Sequence, residues 1–499
     1  MRKRLFWILL FTVLICIVIS GERPIVPQPS SAIAATHPPR TAYVHLFEWK
    51  WNDVAQECET FLGPKGFAAV QISPASEHAV IGRENFPWWQ RYQPVSYRIN
   101  SRSGNRAQFA RMIDRCRAAG VEIYADAVIN HMSGEAEGIG SARTPFTKYR
   151  YPNLYEPRDF HTCRRDITDY SDHDEVTTCE LVSLPDLDTG SDYVRDRLSN
   201  YLRDLVSLGV AGFRIDAAKH IHTNDLAAIL DRLKAAVEPD PYIYQEVIDP
   251  GYEAVKKTEY YPNGDVLEFE YGRKVGEKFL GSNGQTLTQL ETLGESWGFA
   301  PSDKALVFID NHDKQRGHGG GGTYLTYKNG SLYDLANIFM LAFPYGYPQV
   351  MSSYDFSSSD QGPPADAQGR TRSIYTGNQL SCFDAWVCEH RRPAIANMVA
   401  FRNATDPVFQ VTDWWSNGSN QIAFGRGDRG FVMINREAQP LDRTFQTSLP
   451  AGRYCDVVHG EMRGNRCSSS TITVSASGQA ALSVGAMDAI AIHANAKLP

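Results

Sequence analysis

Three carboxylates stand at comparable places in the 499-residue chain. Asp216 ends Gly212-Phe213-Arg214-Ile215-Asp216, Glu246 ends Tyr242-Ile243-Tyr244-Gln245-Glu246, and Asp313 lies just past Leu306-Val307-Phe308-Ile309-Asp310. Each follows a short run rich in β-branched and aromatic residues, the composition of a buried strand. Carboxylates that converge from separate strand ends push one another's pKa values apart, so one keeps its proton while another stays ionised. Cleavage of a glycosidic bond needs that pairing: an acid for the leaving oxygen and an anion at the anomeric centre. Arg214 lies two residues before Asp216, on the same strand face, where its fixed charge favours the ionised aspartate. One Asp or Glu alone is ordinarily a cap or an ion-pair partner. Three at matched strand ends carry the inference.

The elements that must position them follow from the same pattern. Strands are predicted over 42–47, 67–72, 121–128, 212–216, 242–247, 266–269, 306–310 and 349–351, with helical stretches between most of them, one over 106–119. Eight strands alternating with helices predict an α/β fold, a parallel (β/α)₈ TIM barrel, whose strand C-termini share one face. Residues 130–188 are rich in Asp, Thr, Pro and Tyr without helical periodicity, and read as a loop-rich subdomain inserted after strand 3. From about 408 the pattern becomes short alternating strands and turns, an all-β sandwich. The expected organisation is a leader (1–35), the barrel in two parts (36–129 and 189–407), the insertion (130–188) and the β domain (408–499).

The leader has the form of an address. Arg2-Lys3-Arg4 precedes an apolar run from Leu5 to Ile19, shorter than the roughly 20 residues of a membrane span and suited to a secretory signal. No later run is long and apolar enough to span a bilayer, so an exported, extracellular protein is expected. Of nine cysteines, Cys16 falls in the leader, and the even remainder implies disulfides in an oxidising compartment. Local pairs Cys163 with Cys179, Cys382 with Cys388 and Cys455 with Cys467 suggest themselves, leaving Cys58 and Cys116, although other connectivities stay open. With 42% hydrophobic residues and a net charge of −7, the chain has material for a core and no electrostatic footprint for nucleic acid. A monomer is expected.

Four segments resemble the ordered motif set of the α-amylase family: Asp126-Ala127-Val128-Ile129-Asn130-His131, Gly212 to His220, Gln245-Glu246-Val247-Ile248-Asp249, and Phe308-Ile309-Asp310-Asn311-His312-Asp313. The likeness runs from about residue 40 to the C-terminus and is greatest to the animal-type secreted branch. Gly317-His318-Gly319-Gly320-Gly321-Gly322 is similar to that branch's mobile glycine-rich loop, and the four cysteine pairs fit its bridges. The resemblance implies endo-hydrolysis of α-1,4-glucans (starch, glycogen and maltooligosaccharides) with retention. Asp216 would be the nucleophile, Glu246 the acid and then base, and Asp313 the residue that binds ring hydroxyls of the distorted sugar. Sugar contacts are implied for Trp88, Trp89, Tyr92 and Gln93, for His131 and His312, and for Arg214, Lys219, His220 and His318. An aromatic plane suits an apolar sugar face, and a neighbouring amide orients hydroxyls.

A structural calcium ion is implied as well, with Asn130 and Asp186 giving side-chain oxygens and Thr177 and His220 giving backbone carbonyls, the hard donors that Ca²⁺ takes. The branch often binds chloride through an arginine, an asparagine and a further basic residue. Here Arg214 and Asn311 match, but Gln349 stands at the third place, so activity independent of chloride is expected. Two other classes share parts of the pattern. A transglycosylase of the same clan would keep the trio and differ in acceptor use, whereas a non-enzymatic glycan binder would have lost a carboxylate.

Overall fold

The structure, a computed structural model, describes residues 41–499; the expected leader and export signal lie outside the described residues. Eight parallel strands close a barrel: β1 (Tyr43–Leu46), β2 (Ala69–Ile72), β3 (Glu122–Ala127), β4 (Gly212–Ile215), β5 (Tyr242–Gln245), β6 (Asp265–Leu267), β7 (Ala305–Val307) and β8 (Tyr347–Ser352). Each pairs with its neighbour in sequence, and β8 closes on β1 in the register Tyr43 to Gln349. The strands are buried on both faces, which is why they read as near-continuous apolar runs.

Helices α1 (Trp51–Glu57), α2 (Arg106–Ala118), α3 (Asp192–Ser207), α4 (Thr223–Lys234), α5 (Phe269–Leu280), α6 (Ser331–Ala342) and α7 (Pro393–Thr405) accompany the barrel. The sequence dictates α2 locally. Asn105 and Gln108 form a reciprocal capping box at its start, worth about 1 kcal/mol. Phe109, Met112, Ile113 and Cys116 then recur on one buried stripe. Between β5 and β6 the chain makes only a short 3₁₀ turn, Lys257–Tyr260. The lower barrel is filled by Tyr43, Tyr124 and Tyr244 with Leu267, Leu306 and Phe308, so it is a packed core rather than a channel.

The insertion after β3 is short-stranded and loop-rich. Its two ends are zipped together: Leu187 N–H donates to the Asn130 carbonyl (3.0 Å) and Met132 N–H to the Pro185 carbonyl (3.1 Å). Past α7, two four-stranded sheets form the β domain, one from Thr412–Ser416, Gln421–Gly425, Gly430–Asn435 and Asp488–His493, the other from Leu441–Gln446, Gly452–Cys455, Thr471–Val474 and Gln479–Val484. Trp414 stacks on Phe424, which also meets Phe339 and Phe343 of the barrel side, so this tryptophan packs the junction. The disulfides join Cys58–Cys116, Cys163–Cys179, Cys382–Cys388 and Cys455–Cys467.

Candidate active site

The strand-end carboxyls gather round one buried guanidinium. The β3–β4 register sets Asp126 opposite Arg214. Arg214 Nη1 donates to Asp126 Oδ1 (2.6 Å) and to Asp216 Oδ1 (2.7 Å). Its Nη2 lies 2.6 Å from Glu246 Oε1, within ion-pair range but without the alignment of a hydrogen bond. Three carboxylates share one cation, so the charges do not cancel, and burial disfavours what is left. Glu246 is pushed up, to about 8, by burial and then by the negative charge of Asp216 and Asp313, against the pull of Arg214. Asp313 is raised by burial and drawn back by Arg214, His318, Lys314 and Arg316. Asp126 is raised to about 7, chiefly by burial, although Arg214 and the Tyr92 hydroxyl (2.9 Å) favour its ionised form.

Local backbone fixes the pair. Just past β4, Ala217 takes the left-handed conformation (φ 48°), unusual for a residue with a Cβ. The turn aims its N–H at Glu246 Oε2, 2.8 Å away, and Lys219 N–H donates to the Glu246 carbonyl at 3.2 Å. Backbone strain of this kind persists where surrounding contacts over-determine it.

A cavity of about 700 Å³ opens over these groups, and every sequence-expected sugar contact except Arg214 lines it. Trp88 is 4% exposed and packs edge-on to Tyr92, His312 and His318, whereas Trp89 is partly exposed and offers a ring. Their indole N–H groups donate to the Ser359 carbonyl (2.8 Å) and to Asp360 Oδ1 (3.1 Å). His312 stacks on Tyr92 with ring centroids 5.2 Å apart; burial, Arg214 and Arg316 hold it well below the usual range, hence neutral. His131 is lowered by burial, and its Nε2 lies 2.9 Å from the Tyr92 carbonyl, to which it donates. Lys219 donates to the Ile248 carbonyl (2.7 Å) and pairs with Glu253. His220, lowered to about 4 by burial, donates through Nδ1 to the Val176 carbonyl (3.1 Å) and so ties the barrel to the insertion. Arg214 lies beneath the cavity rather than in its wall. Sequence reasoning gave no role to Asp126, although it stands in the first motif, nor to Tyr170, Ile248, Val182 and Glu253 of the cleft wall.

The residues expected to hold calcium fit a hard cation. Asp186 is buried; His161 donates to its Oδ2 at 2.6 Å, but Oδ1 has no partner. Burial pushes this carboxyl to about 7, a cost that a bound cation would remove. Asn130 lies beside it, since His131 and Asp186 form a bridge across the zipped ends of the insertion. Among the described residues no three His, Cys, Asp or Glu side chains are disposed to hold a metal ion by themselves, so carbonyl and amide oxygens would have to complete the set, as calcium accepts. Thr177 and His220 are brought to the same insertion–barrel junction by the His220 to Val176 bond.

At the place of the expected third chloride ligand, Gln349 is buried and donates through Nε2 to Gln71 Oε1 (2.6 Å), which also accepts from the Tyr244 hydroxyl (2.9 Å). Neutral groups satisfy one another there. Asn311 Oδ1 accepts the Lys314 N–H at 2.8 Å.

Fold and site together define an α/β barrel with carboxyls gathered at its strand ends. Residues 85–240 match the α-amylase catalytic domain, and residues 414–495 match the α-amylase C-terminal all-β domain. Pancreatic α-amylase of Rattus norvegicus is 45% identical over 92% of this chain and 95% of its own length. Human α-amylase 1B is 46% identical over 99% of this chain and all of its own. The crystal structure of α-amylase I from Eisenia fetida superposes with a TM-score of 0.86 at 43% identity, covering 92% of this chain and 98% of that one. The chain belongs to the α-amylase family and is a glycoside hydrolase.

Proposed function

We propose that the enzyme is exported and hydrolyses internal α-1,4-glucosidic bonds of starch, glycogen and maltooligosaccharides with retention, acting as a monomer. The observation that carries this reading is the Arg214 guanidinium, which holds Asp216 and Glu246 together while Glu246 keeps a raised pKa. Two carboxyls on one guanidinium suit the separation of about 5–5.5 Å that a covalent mechanism needs. Glu246 gives its proton to the glycosidic oxygen as Asp216 attacks C1 and the C1–O bond breaks. Glu246, now ionised, takes a proton from water, and the hydroxide attacks C1 and releases Asp216. Asp313 grips ring hydroxyls, with neutral His312 3.6 Å from its Oδ2. Trp89 gives the stacking face, with Trp88, Tyr92 and Gln93 behind it, and His131, Lys219, His220 and His318 complete the cleft.

Calcium would be held by Asn130 and Asp186 side chains with the Thr177 and His220 carbonyls, and would supply charge neutralisation at the cleft wall, not chemistry. Gln349, already paired with Gln71, stands where a cation is expected and leaves Arg214 and Asn311 as the remaining chloride ligands, which supports activity that does not require chloride. The complex of a variant of the Eisenia fetida enzyme with maltohexaose supports a glucan substrate. The test is chain-length analysis of maltoheptaose digests. Shorter oligomers from internal cleavage are expected, with Glu246→Gln slower by about 10²–10⁴-fold; an intact substrate would overturn the reading.

A further inference from the structure

The glycine-rich segment that carries His318 has little to hold it in place by itself. Gly317, Gly319, Gly320, Gly321 and Gly322 have φ values from +64° to +95°, backbone that only glycine adopts without strain. No side chain of these five can pack, and such chain is entropically costly to order. Yet the segment lies close over the site: a Cβ at Gly319 would meet Ile248 Cδ1 at 3.2 Å and Asp313 Cβ at 3.6 Å. Something must fasten it.

Lys314 is the fastener. It follows Asp313 directly, its own N–H is fixed on Asn311 Oδ1, and the residue is 7% exposed. Nζ donates to the Gly319 carbonyl (2.5 Å) and to the Gly321 carbonyl (2.9 Å). The ammonium also sits 5.0 Å from the Tyr324 ring centroid and 5.5 Å from that of Phe269. Among the described residues no carboxylate comes within ion-pair distance of it; Asp313, Glu246 and Glu270 act on it only from further away. A buried ammonium is costly unless its donors are used, and here two loop carbonyls and two ring faces use them. His318 directly precedes the first of these anchor points, with its N–H on the Asp313 carbonyl (3.0 Å) and its ring edge-on to Trp88 (5.5 Å).

We propose that Lys314 is a positioning residue: its ammonium clamps the glycine-rich loop and thereby holds His318 against the sugar in the cleft. The proposal rests on the glucan-hydrolase reading above, but its loop arm does not. Lys314→Met keeps the stem and removes the donors, Lys314→Arg keeps donors and charge, and each is combined with His318→Ala. In the absence of substrate, limited proteolysis with proteinase K should cut Lys314→Met between 317 and 322 several-fold faster than wild type, at unchanged cutting elsewhere. In kinetics with maltoheptaose, Lys314→Met should raise KM about tenfold, the equivalent of one charge-assisted contact, with kcat within about twofold. Lys314→Arg should return KM to within about twofold of wild type. The decisive arm is coupling: if Lys314 acts through His318, the double variant is no worse than His318→Ala alone. Equal loop cleavage in Lys314→Met and wild type, or KM effects that multiply in the double variant, would overturn the proposal. Should Lys314→Met fail to fold, Lys314→Gln carries the same comparisons. Loss of all hydrolysis by wild type would instead sink the glucan reading and leave the proteolysis arm to judge the clamp.

Discussion

The backbone N–H of Ala217 donates to Glu246 Oε2 at 2.8 Å. The residue after the candidate nucleophile therefore orients the candidate acid, and it does so from left-handed backbone. Ala217→Gly adopts this conformation freely and should keep kcat within a few-fold. Ala217→Val, β-branched, adds about 1–2 kcal/mol of backbone cost and swings the N–H away. Its kcat should fall at least about tenfold with KM little changed, measured on maltoheptaose; equal kinetics for the two variants would remove the role given to this turn.

The raised pKa of Glu246 has a definite sign in the pH profile. The acid must carry its proton in the free enzyme, so kcat/KM falls as pH rises through that pKa. An ordinary glutamate titrates near about 4.3, whereas Glu246 is pushed to about 8. Activity should stay high through neutral pH and decline on the alkaline side. A limb that is already complete by pH 6 would contradict the burial and charge argument.

Removal of calcium should loosen the junction rather than stop the chemistry directly. A ligand at a hundredfold excess over its Kd stabilises by about 2.7 kcal/mol, so chelation should lower Tm by several degrees in differential scanning calorimetry. Asp186→Asn removes the buried carboxylate whose Oδ1 lacks a partner, and its Tm should no longer respond to chelator. A chelator effect as large as in wild type would place the ion elsewhere.

Chloride added to desalted enzyme should change turnover less than about twofold, because Gln349 spends its amide on Gln71 and, of the three expected ligands, Arg214 alone is a cation. Gln349→Arg sets a second cation near Arg214 and should bring chloride activation with it. A several-fold response in wild type would refute the assignment.

Much of the architecture was legible because barrel strands are short, doubly buried and therefore continuously apolar. Their ends were less so. The run read to Asp310 stops as a strand at Val307, and β8 begins at Tyr347, two residues earlier than predicted, because Pro348 is accepted near the start of a parallel strand opposite Val307. The trio was visible from position at strand ends. Asp126 was not, since its meaning lies in a β3–β4 register that sets it against Arg214. The Gln349–Gln71 bond joins residues 278 apart in sequence, and the Lys314 clamp depends on where a glycine-rich loop folds back; neither leaves a local signal. The two adjacent tryptophans read alike, yet only packing shows that Trp88 is buried in the cleft wall and Trp89 partly exposed.

The most direct test of the central claim is proton NMR of maltoheptaose mixed with the mature enzyme, read at the anomeric protons within the first turnovers, with Asp216→Asn beside it. Shorter products that appear first as the α-anomer, and do not appear with Asp216→Asn, are the expected result. β-anomeric first products, or undiminished cleavage by Asp216→Asn, would contradict a covalent mechanism on Asp216.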